Sequence, residues 1–219
     1  MAMNVAIDGP AGAGKSTIAK AIAKKLGYVY VDTGAMYRAM ALYFLRSNIS
    51  KDDEATISSV VDDISVSIKY EDGAQHVILN GEDVTGLIRT EEVGNMASAT
   101  SVYGPVRTKL VALQQELAKT TDVIMDGRDI GTVVLPNADV KVFLTASVEC
   151  RAKRRYDELV GKGLEADFDK IAKDIEERDY RDSHREISPL KQAEDATLVD
   201  SSDMTIDEVV DAIIKLCNK

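Results

Sequence analysis

The sequence has no apolar run long enough to cross a membrane, and it has only two cysteines. A membrane-spanning helix needs about 20 consecutive apolar residues, and the start of the chain shows no signal-peptide pattern. Cys150 and Cys217 lie far apart and form no metal-ligand spacing, which favours reduced thiols. These absences predict a cytoplasmic protein that does not enter a membrane.

Positive charge is also scarce. The chain carries 27 Lys and Arg against 37 Asp and Glu, a formal net charge of −10. This excess of acidic residues argues against a nucleic-acid polymer as partner. A small anionic substrate would need a locally basic pocket within an acidic molecule. No repeat or low-complexity tract occurs, and 219 residues suit one α/β domain.

What the chain does contain is the segment "DGPAGAGKST", from Asp8 to Thr17, which matches the P-loop pattern between a predicted strand and a predicted helix. Its glycines let successive backbone N–H groups turn around a phosphate without Cβ clashes. We expect Lys15 to bridge the β- and γ-phosphates of a nucleotide and Ser16 to offer its hydroxyl to Mg²⁺. The predicted ATP-binding residues are Gly9, Pro10, Ala11, Gly12, Ala13, Gly14, Lys15, Ser16 and Thr17.

Five apolar segments, each followed by helical or loop sequence, predict a parallel sheet in an α/β fold. They are Asn4–Asp8, Tyr28–Val31, Asp122–Asp126, Val140–Thr145 and Ala196–Asp200. An amphipathic helix is predicted near the end of the chain, over Thr205–Leu216.

Between residues 64 and 84 the apolar period changes to two. Turn residues at Glu71-Asp72-Gly73-Ala74 and at Asn80-Gly81 divide this stretch. The pattern predicts a small antiparallel sheet inserted in the α/β chain.

A second unusual stretch, residues 151–186, is dense in charge and helical in pattern, with a break at Gly161-Lys162-Gly163. Composition alone favours two solvated surface helices. With a P-loop in the same chain, a second interpretation gains weight: Arg178, Arg181 and Arg185 fall on one helix face beside Asp182. A mobile lid bearing arginines would neutralise the charge of a transferred phosphoryl group and exclude water. We expect Arg185, as an exposed lid arginine, to contribute little to stability.

Two loops after predicted strands hold further candidates. In "VDTGAMYR", Thr33 is a candidate helix cap, and Arg38 could grip phosphate oxygens with its forked guanidinium. In "VIMDGRDIGTVV", Asp126 ends a strand and could place a carboxylate near Mg²⁺, directly or through water. Arg128 and Asp129 follow at the sheet edge where open α/β folds bind ligands, although such a loop could also be a plain turn.

In these motifs and their order the chain resembles the bacterial-type cytidylate kinases, members of the nucleoside monophosphate kinase group. The matching segments are "DGPAGAGKST", "VDTGAMYRA", "LNGEDVT…IRTEEV", "VRTKL…Q", "DGRDIGTVV" and "ERDYRDSHREISPL". A P-loop is shared by many families, whereas "DGRDIGTVV" together with the inserted sheet is far more specific.

The resemblance implies a P-loop NTPase fold with a five-stranded parallel core, a monophosphate-binding insert containing the small antiparallel sheet, and a helical lid. The expected boundaries are 1–36, 107–148 and 188–219 for the core, 37–106 for the insert and 149–187 for the lid. The implied activity is transfer of the γ-phosphoryl group of ATP to CMP or dCMP, with Mg²⁺, by a monomer that uses no covalent intermediate.

The resemblance also implies the roles of individual residues. Arg38 and Arg128 would bind the phosphate of the monophosphate, and Arg178 and Asp182 the ribose. The remaining substrate residues would be Ser98, Arg107 and Asp129 at the cytosine, Thr33 and Tyr37 lining the pocket, and Arg185 close to the monophosphate. The implied catalytic residues are Lys15, Arg128, Arg178 and Arg185.

Elementary chemistry agrees with the cytosine assignment. Cytosine has an amino donor where uracil has a carbonyl acceptor, so an Asp or Ser oxygen there accepts from cytosine and repels uracil. On spacing alone, Arg107 could instead be a surface residue of a predicted helix, Pro105–Leu117, and Ser98 a plain helix residue. His76 and His184 are expected to be bystanders.

Three other functions compete with this one. A kinase for a non-nucleotide hydroxyl acceptor would need a general-base Asp, and a UMP-preferring sister enzyme would tolerate loss of Asp129. A regulatory P-loop protein would bind nucleotide without forming ADP. A GTPase is disfavoured because the chain has no Asn-Lys-x-Asp segment.

Overall fold

The computed structural model describes residues 2–71 and 74–218. In chain order the elements are β1 (Asn4–Asp8), α1 (Lys15–Leu26), β2 (Val29–Asp32), α2 (Thr33–Arg46), α3 (Glu54–Val60), β3 (Val66–Glu71), β4 (Ala74–Leu79), β5 (Glu82–Asp83), α4 (Glu91–Thr100), α5 (Gly104–Ala118), β6 (Val123–Gly127), β7 (Val140–Thr145), α6 (Val148–Gly161), α7 (Phe168–His184), β8 (Thr197–Asp200) and α8 (Ile206–Cys217). A 3₁₀ turn at Val61–Asp63 and a π-helical turn at Ile130–Val134 complete the set.

The chain forms two compact units. One contains the described residues up to 30 and from 121 onward, and the other contains residues 31–120. Each has its own apolar core. The sequence-based boundaries of core, insert and lid remain a prediction.

A five-stranded sheet with the order β2-β6-β1-β7-β8 confirms the predicted α/β fold. Strand β1 pairs in parallel with β6 and β7, and β7 with β8. Each strand lies within one residue of its predicted position. Because the strands of a parallel sheet are covered on both faces, they are nearly continuous apolar runs, and Val5, Ala6 and Ile7 are fully buried. The parallel arrangement brings the loops after β1 and β6 to the same edge.

Glycine conformations explain how the chain turns from β1 into α1. Gly14 has φ 88° and ends the loop, and Gly27 has φ 74° and caps the end of the helix. Gly9, with φ 148°, passes so close to β7 that a Cβ there would lie 1.9 Å from the carbonyl oxygen of Leu144. Only glycine fits such a contact, so the first glycine of the motif is required by packing as well as by the turn.

The inserted antiparallel sheet is confirmed in the second unit. Its strand order is β3-β4-β5, and Val66 pairs with Leu79. The predicted turn at Asn80-Gly81 is present, with both residues at positive φ, as a tight hairpin turn requires. The centre of the other predicted turn, Asp72-Gly73, lies outside the described residues.

Thr33, a candidate cap for the helix after β2, does not cap it. Asp32 is the N-cap of α2, and its carboxylate accepts a hydrogen bond from the backbone N–H of Ala35 at 3.0 Å. Asp and Thr are both good capping residues, but α2 begins one residue earlier than a Thr33 cap would require. Thr33 is the first residue of the helix and is buried.

The charge-dense stretch forms the two predicted helices, α6 and α7. The break is confirmed, because α6 ends at Gly161 and Gly163 has φ 72°. Most of their side chains are exposed, and the buried residues are Arg151 and Ala152 on α6 and Asp182 on α7. Buried charges on otherwise solvated helices point to a role beyond covering the surface.

At the end of the chain, α8 confirms the predicted amphipathic helix. Thr205 and Glu208 form a capping box at its start. None of the helices in the described part of the chain combines the length and apolar character needed to cross a membrane.

Candidate active site

The P-loop folds as a phosphate-binding loop should. Gly9, Gly12 and Gly14 all have positive φ, which turns successive backbone N–H groups toward one side. The loop leads into the N-terminus of α1, whose helix dipole favours an anion. Of the predicted ATP-binding residues, Gly9 to Gly14 lie in the loop between β1 and α1, and Lys15, Ser16 and Thr17 are the first three residues of α1.

Lys15 is buried at the start of α1, where its ammonium group donates to the carbonyl oxygen of Pro10 at 2.7 Å. Burial, followed by the positive charge of Arg128, lowers the pKa of Lys15 to about 7. Arg178 acts in the same direction, while Asp126 opposes it. Cationic side chains are thus held close to one another at this edge of the sheet, an arrangement that an anionic ligand would stabilise.

Ser16 and Asp126 meet at the carboxyl end of β6. The Ser16 hydroxyl donates to Asp126 Oδ2 at 3.0 Å, and the Tyr30 hydroxyl donates to Asp126 Oδ1 at 2.7 Å. Asp126 is buried, so both hydrogen bonds hold its carboxylate in a fixed orientation. The oxygen donors of Ser16 and Asp126 are of the kind that Mg²⁺ prefers.

Arg128 and Asp129 lie between β6 and the π-helical turn, opposite the C-terminal part of α7. Arg128 Nε donates to Asp182 Oδ2 at 2.8 Å, and Asp129 Oδ1 lies 3.8 Å from a guanidinium nitrogen of Arg185. Burial alone would raise the pKa of Asp182, but the charge and hydrogen bond of Arg128, with Arg178 and Arg185 nearby, hold that pKa below its usual range. Two ion pairs, Arg128 with Asp182 and Asp129 with Arg185, thus join this loop to the end of α7.

Two details of the predicted arginine face need correction. Arg181 is exposed and donates to the carbonyl oxygen of Glu177, whereas Arg178 is half-buried. Arg185 lies just beyond the end of α7 in an extended conformation, with its side chain only 6% exposed. Arg185 was expected to be exposed and so to contribute little to stability. That expectation is wrong, because its side chain is buried beside Asp129.

The predicted residues of the second unit form two groups. Arg38, on α2, donates to the carbonyl oxygen of Ile88, and its guanidinium packs against Gly94, where a Cβ would lie 2.9 Å from Nη1. The other group is centred on Arg107, which is buried and lies with its guanidinium carbon 5.9 Å from the centre of the Tyr37 ring.

The burial of Arg107 excludes the alternative of a surface arginine. Its Nη1 donates to the carbonyl oxygen of Ser101 at 3.3 Å, one residue beyond α4. Ser98 lies on α4 and is half-buried. The two residues therefore belong to neighbouring parts of the same unit.

Three charged contacts were missed from the sequence, two in the first unit and one in the second. Asp8 accepts hydrogen bonds from the backbone of Ile130 and Gly131, and Arg89 donates to Asp32 at 2.6 Å. Arg151 begins the charge-dense stretch, but no partner was assigned to it. Asp8 opens the P-loop segment and Arg89 lies within "IRTEEV", so their positions within motifs were the only available signal.

Arg151 links three parts of the first unit. Its guanidinium donates to the carbonyl oxygen of Ala11 in the P-loop at 3.0 Å, to that of Ala146 at 2.9 Å and to Asp179 on α7 at 2.6 Å. Its side chain is 4% exposed. Arg151 thus joins a P-loop carbonyl group and helix α7 through one buried side chain.

Replacing Arg151 by methionine is expected to lower the free energy of unfolding by about 3 kcal/mol. The change leaves Asp179 and two carbonyl oxygens without their donor. Arg155→Met is the matched control, because Arg155 lies on the same helix in an exposed pair with Glu158 and should change stability by less than about 0.5 kcal/mol. Urea denaturation of both variants checks this, and equal losses would contradict the buried role of Arg151.

Each histidine contacts a residue that is not among the predicted site residues. His76 pairs with Asp83 on the inserted sheet, and His184 stacks on Tyr180. Among the described residues, no cluster of three or more His, Cys, Asp or Glu side chains could hold a metal ion by itself. The oxygens of Ser16 and Asp126 are donors that suit Mg²⁺, which is usually held by one or two side chains, water and phosphate oxygens.

The parallel sheet, the glycine-rich loop with its buried lysine and the acidic end of the adjacent strand define a P-loop kinase fold. A shikimate kinase from Bacteroides thetaiotaomicron has a similar structure, with a TM-score of 0.51 at 14% sequence identity over 99% of both chains. Such a likeness shows the fold alone.

Residues 5–219 match the family model of cytidylate kinase, and the chain belongs to that family. It is 54% identical to a cytidylate kinase of Lactobacillus johnsonii over 99% of this chain and 94% of that protein. It is 52% identical to a cytidylate kinase of Ligilactobacillus salivarius over 98% of this chain and 96% of that protein. The family predicted from the sequence motifs is confirmed.

Proposed function

We propose that this protein transfers the γ-phosphoryl group of ATP to CMP or dCMP, giving ADP and CDP or dCDP. The observation that carries the proposal is the group of cations beside the P-loop in an acidic chain. Burial lowers the pKa of Lys15 to about 7, and the charges of Arg128 and Arg178 act in the same direction, while the chain as a whole has a net charge of −10. Bound phosphate groups would relieve the repulsion between these cations.

ATP would bind through the backbone N–H groups of the P-loop, with Lys15 at its β- and γ-phosphates. Ser16 and Asp126 would hold Mg²⁺, Asp126 directly or through a water molecule; their hydrogen bond of 3.0 Å brings two suitable oxygen donors together. When bound, Mg²⁺ neutralises charge on the β- and γ-phosphate oxygens.

The protein's own task in the transfer is positioning and charge stabilisation. Arg38 and Arg128 would bind the phosphate of CMP, with one of its oxygens in line with the γ-phosphorus. That oxygen is already anionic near neutral pH, so no strong general base is needed. Arg178 and Arg185 would stabilise the charge that spreads over the transferred group, and Arg178 and Asp182 would contact the ribose.

Cytosine would be recognised through Asp129, Ser98 and Arg107. A carboxylate or hydroxyl oxygen accepts from the cytosine amino group, and Arg107 can donate to the ring nitrogen and the C2 carbonyl. The same groups leave uracil with an unpaired, buried carbonyl. Thr33 and Tyr37 would line the pocket, and the contact between Tyr37 and Arg107 supports this grouping.

The remaining parts of the proposal concern the state of the protein. We propose that the protein acts as a monomer in the cytoplasm. Residues 37–106 would serve as the monophosphate-binding insert and residues 149–187 as the lid. Both cysteines are free thiols, in keeping with a reducing compartment.

A coupled assay of ADP release tests the function directly, with CMP, dCMP, UMP, AMP and the hydroxyl acceptor shikimate offered in turn. We expect turnover with CMP and dCMP, and a kcat/KM at least about 100-fold lower with UMP and AMP. ADP release with shikimate alone would favour a non-nucleotide kinase. Equal rates with UMP would favour the pyrimidine-tolerant alternative.

A further inference from the structure

The π-helical turn Ile130–Val134 begins directly after Asp129. The first N–H groups of any helix need hydrogen-bond acceptors from outside the helix. The carboxylate of an aspartate just before the helix commonly accepts from them. Asp129 occupies the N-cap position, yet its side chain makes no capping hydrogen bond. Another residue must therefore accept hydrogen bonds from the first backbone N–H groups of this turn.

That residue is Asp8, at the end of β1. Its Oδ1 accepts from the backbone N–H of Ile130 and its Oδ2 from that of Gly131, both at 2.7 Å. Asp8 is only 4% exposed. The contact is so close that a Cβ on Gly131 would lie 3.3 Å from Asp8 Oδ2 and 3.2 Å from Lys141 Cδ. A residue 122 positions earlier in the chain thus caps the turn that follows Asp129.

We infer that Asp8 is a positioning residue for base selection, because it takes over the capping of Ile130 and Gly131 and so leaves the Asp129 carboxylate directed at the substrate. The inference rests on the proposed function, in which Asp129 accepts from the cytosine amino group. Asp129 lies 3.8 Å from Arg185 rather than over the start of its own helix. A loosened turn would let Asp129 fold back to cap it, as aspartates at this position commonly do.

An ionised carboxylate suits this task because both of its oxygens accept hydrogen bonds, whereas an amide offers one acceptor and one donor. Burial raises the pKa of Asp8 to about 6, against the two backbone hydrogen bonds that favour ionisation. Asp129 also raises this pKa and Lys15 lowers it. At neutral pH the ionised form therefore predominates.

The test compares Asp8→Asn, Gly131→Ala and a matched control, Asp122→Asn. Asn at position 8 places an amide donor against one of the two N–H groups. Gly131→Ala keeps the Asp8 carboxylate but adds a Cβ that crowds Asp8 Oδ2, so it disturbs the same contact from the side of the turn. Asp122 accepts from the backbone N–H of Met3 at 2.6 Å, so Asp122→Asn makes the same change from carboxylate to amide beside a backbone N–H, at the other end of the sheet.

Three quantities are measured on each protein: kcat/KM with CMP and with UMP, the Kd for ATP, and amide hydrogen exchange at residues 130 and 131. We expect Asp8→Asn to lower the ratio of kcat/KM for CMP over UMP by about 10-fold. Exchange at residues 130 and 131 should quicken, while the ATP Kd changes by less than about threefold. Gly131→Ala should act in the same direction with a smaller effect, and Asp122→Asn should leave the ratio unchanged.

Two results would overturn the inference. One is a CMP-to-UMP ratio within about twofold of wild type in both folded variants of the contact. The other is a loss of ATP affinity as large as the loss of CMP turnover, which would place Asp8 in P-loop structure instead. Wild-type protein without a preference for CMP would contradict the proposed function, and hydrogen exchange would still decide whether Asp8 anchors the turn.

Discussion

Lys15→Met is expected to lower kcat with CMP by about 1000-fold. Lys15 is the cation at the base of the P-loop, and it would contact the transferred phosphoryl group throughout the reaction. Burial and the neighbouring Arg128 already lower its pKa to about 7, so an uncharged side chain of similar length should be accepted at this position. The variant should therefore fold and still bind ATP through the backbone of the loop.

Single-turnover and steady-state assays with CMP measure the loss, and isothermal titration measures ATP binding. Lys24→Met is the matched control, since Lys24 lies on the same helix with an exposed side chain. Near-normal kcat in a folded Lys15→Met protein would remove the P-loop lysine from the chemistry.

Asp129→Ala should lower kcat/KM for CMP by about 100-fold while changing the ATP Kd much less. The physical reason is that the variant loses the proposed hydrogen bond between the Asp129 carboxylate and the cytosine amino group. The variant also leaves the side chain of Arg185 buried without its carboxylate neighbour, so some loss of stability is expected as well.

Asp129→Asn separates these effects, because it keeps the volume and one acceptor oxygen. Its amide can also donate to the uracil carbonyl, so we expect the ratio of kcat/KM for CMP over UMP to fall. Asp203→Ala, at an exposed position of the same unit, serves as the control. Wild-type turnover of CMP by a folded Asp129→Ala protein would contradict the cytosine assignment.

The features predicted well from the sequence depend on local patterns. The five strands, the inserted hairpin and the break near Gly163 follow from apolar periodicity and turn residues. The P-loop follows from a motif whose conformation is set by its own glycines. Each of these can be recognised within some ten residues of chain.

The features that were missed depend on contacts between distant residues. No local pattern indicates that Asp8 caps a turn at Ile130, or that Arg151 joins the P-loop to α7. The burial of Arg185 was misjudged for the same reason, since helical spacing gives the face of a residue but not what packs against it. The capping residue of α2 was assigned one position too late, because Asp32 and Thr33 are neighbours and both are chemically suitable caps.

The crossed ion pairs between the loop and the end of α7 have a consequence for turnover. Arg128 is already held by Asp182, and Asp129 lies beside Arg185. A nucleotide phosphate that binds Arg128 must share its guanidinium with a carboxylate, and a base that binds Asp129 must compete with a guanidinium. Part of the attraction for each ligand is offset by this competing partner, which stays beside the binding residue when the product leaves. The arrangement favours rapid release over tight binding.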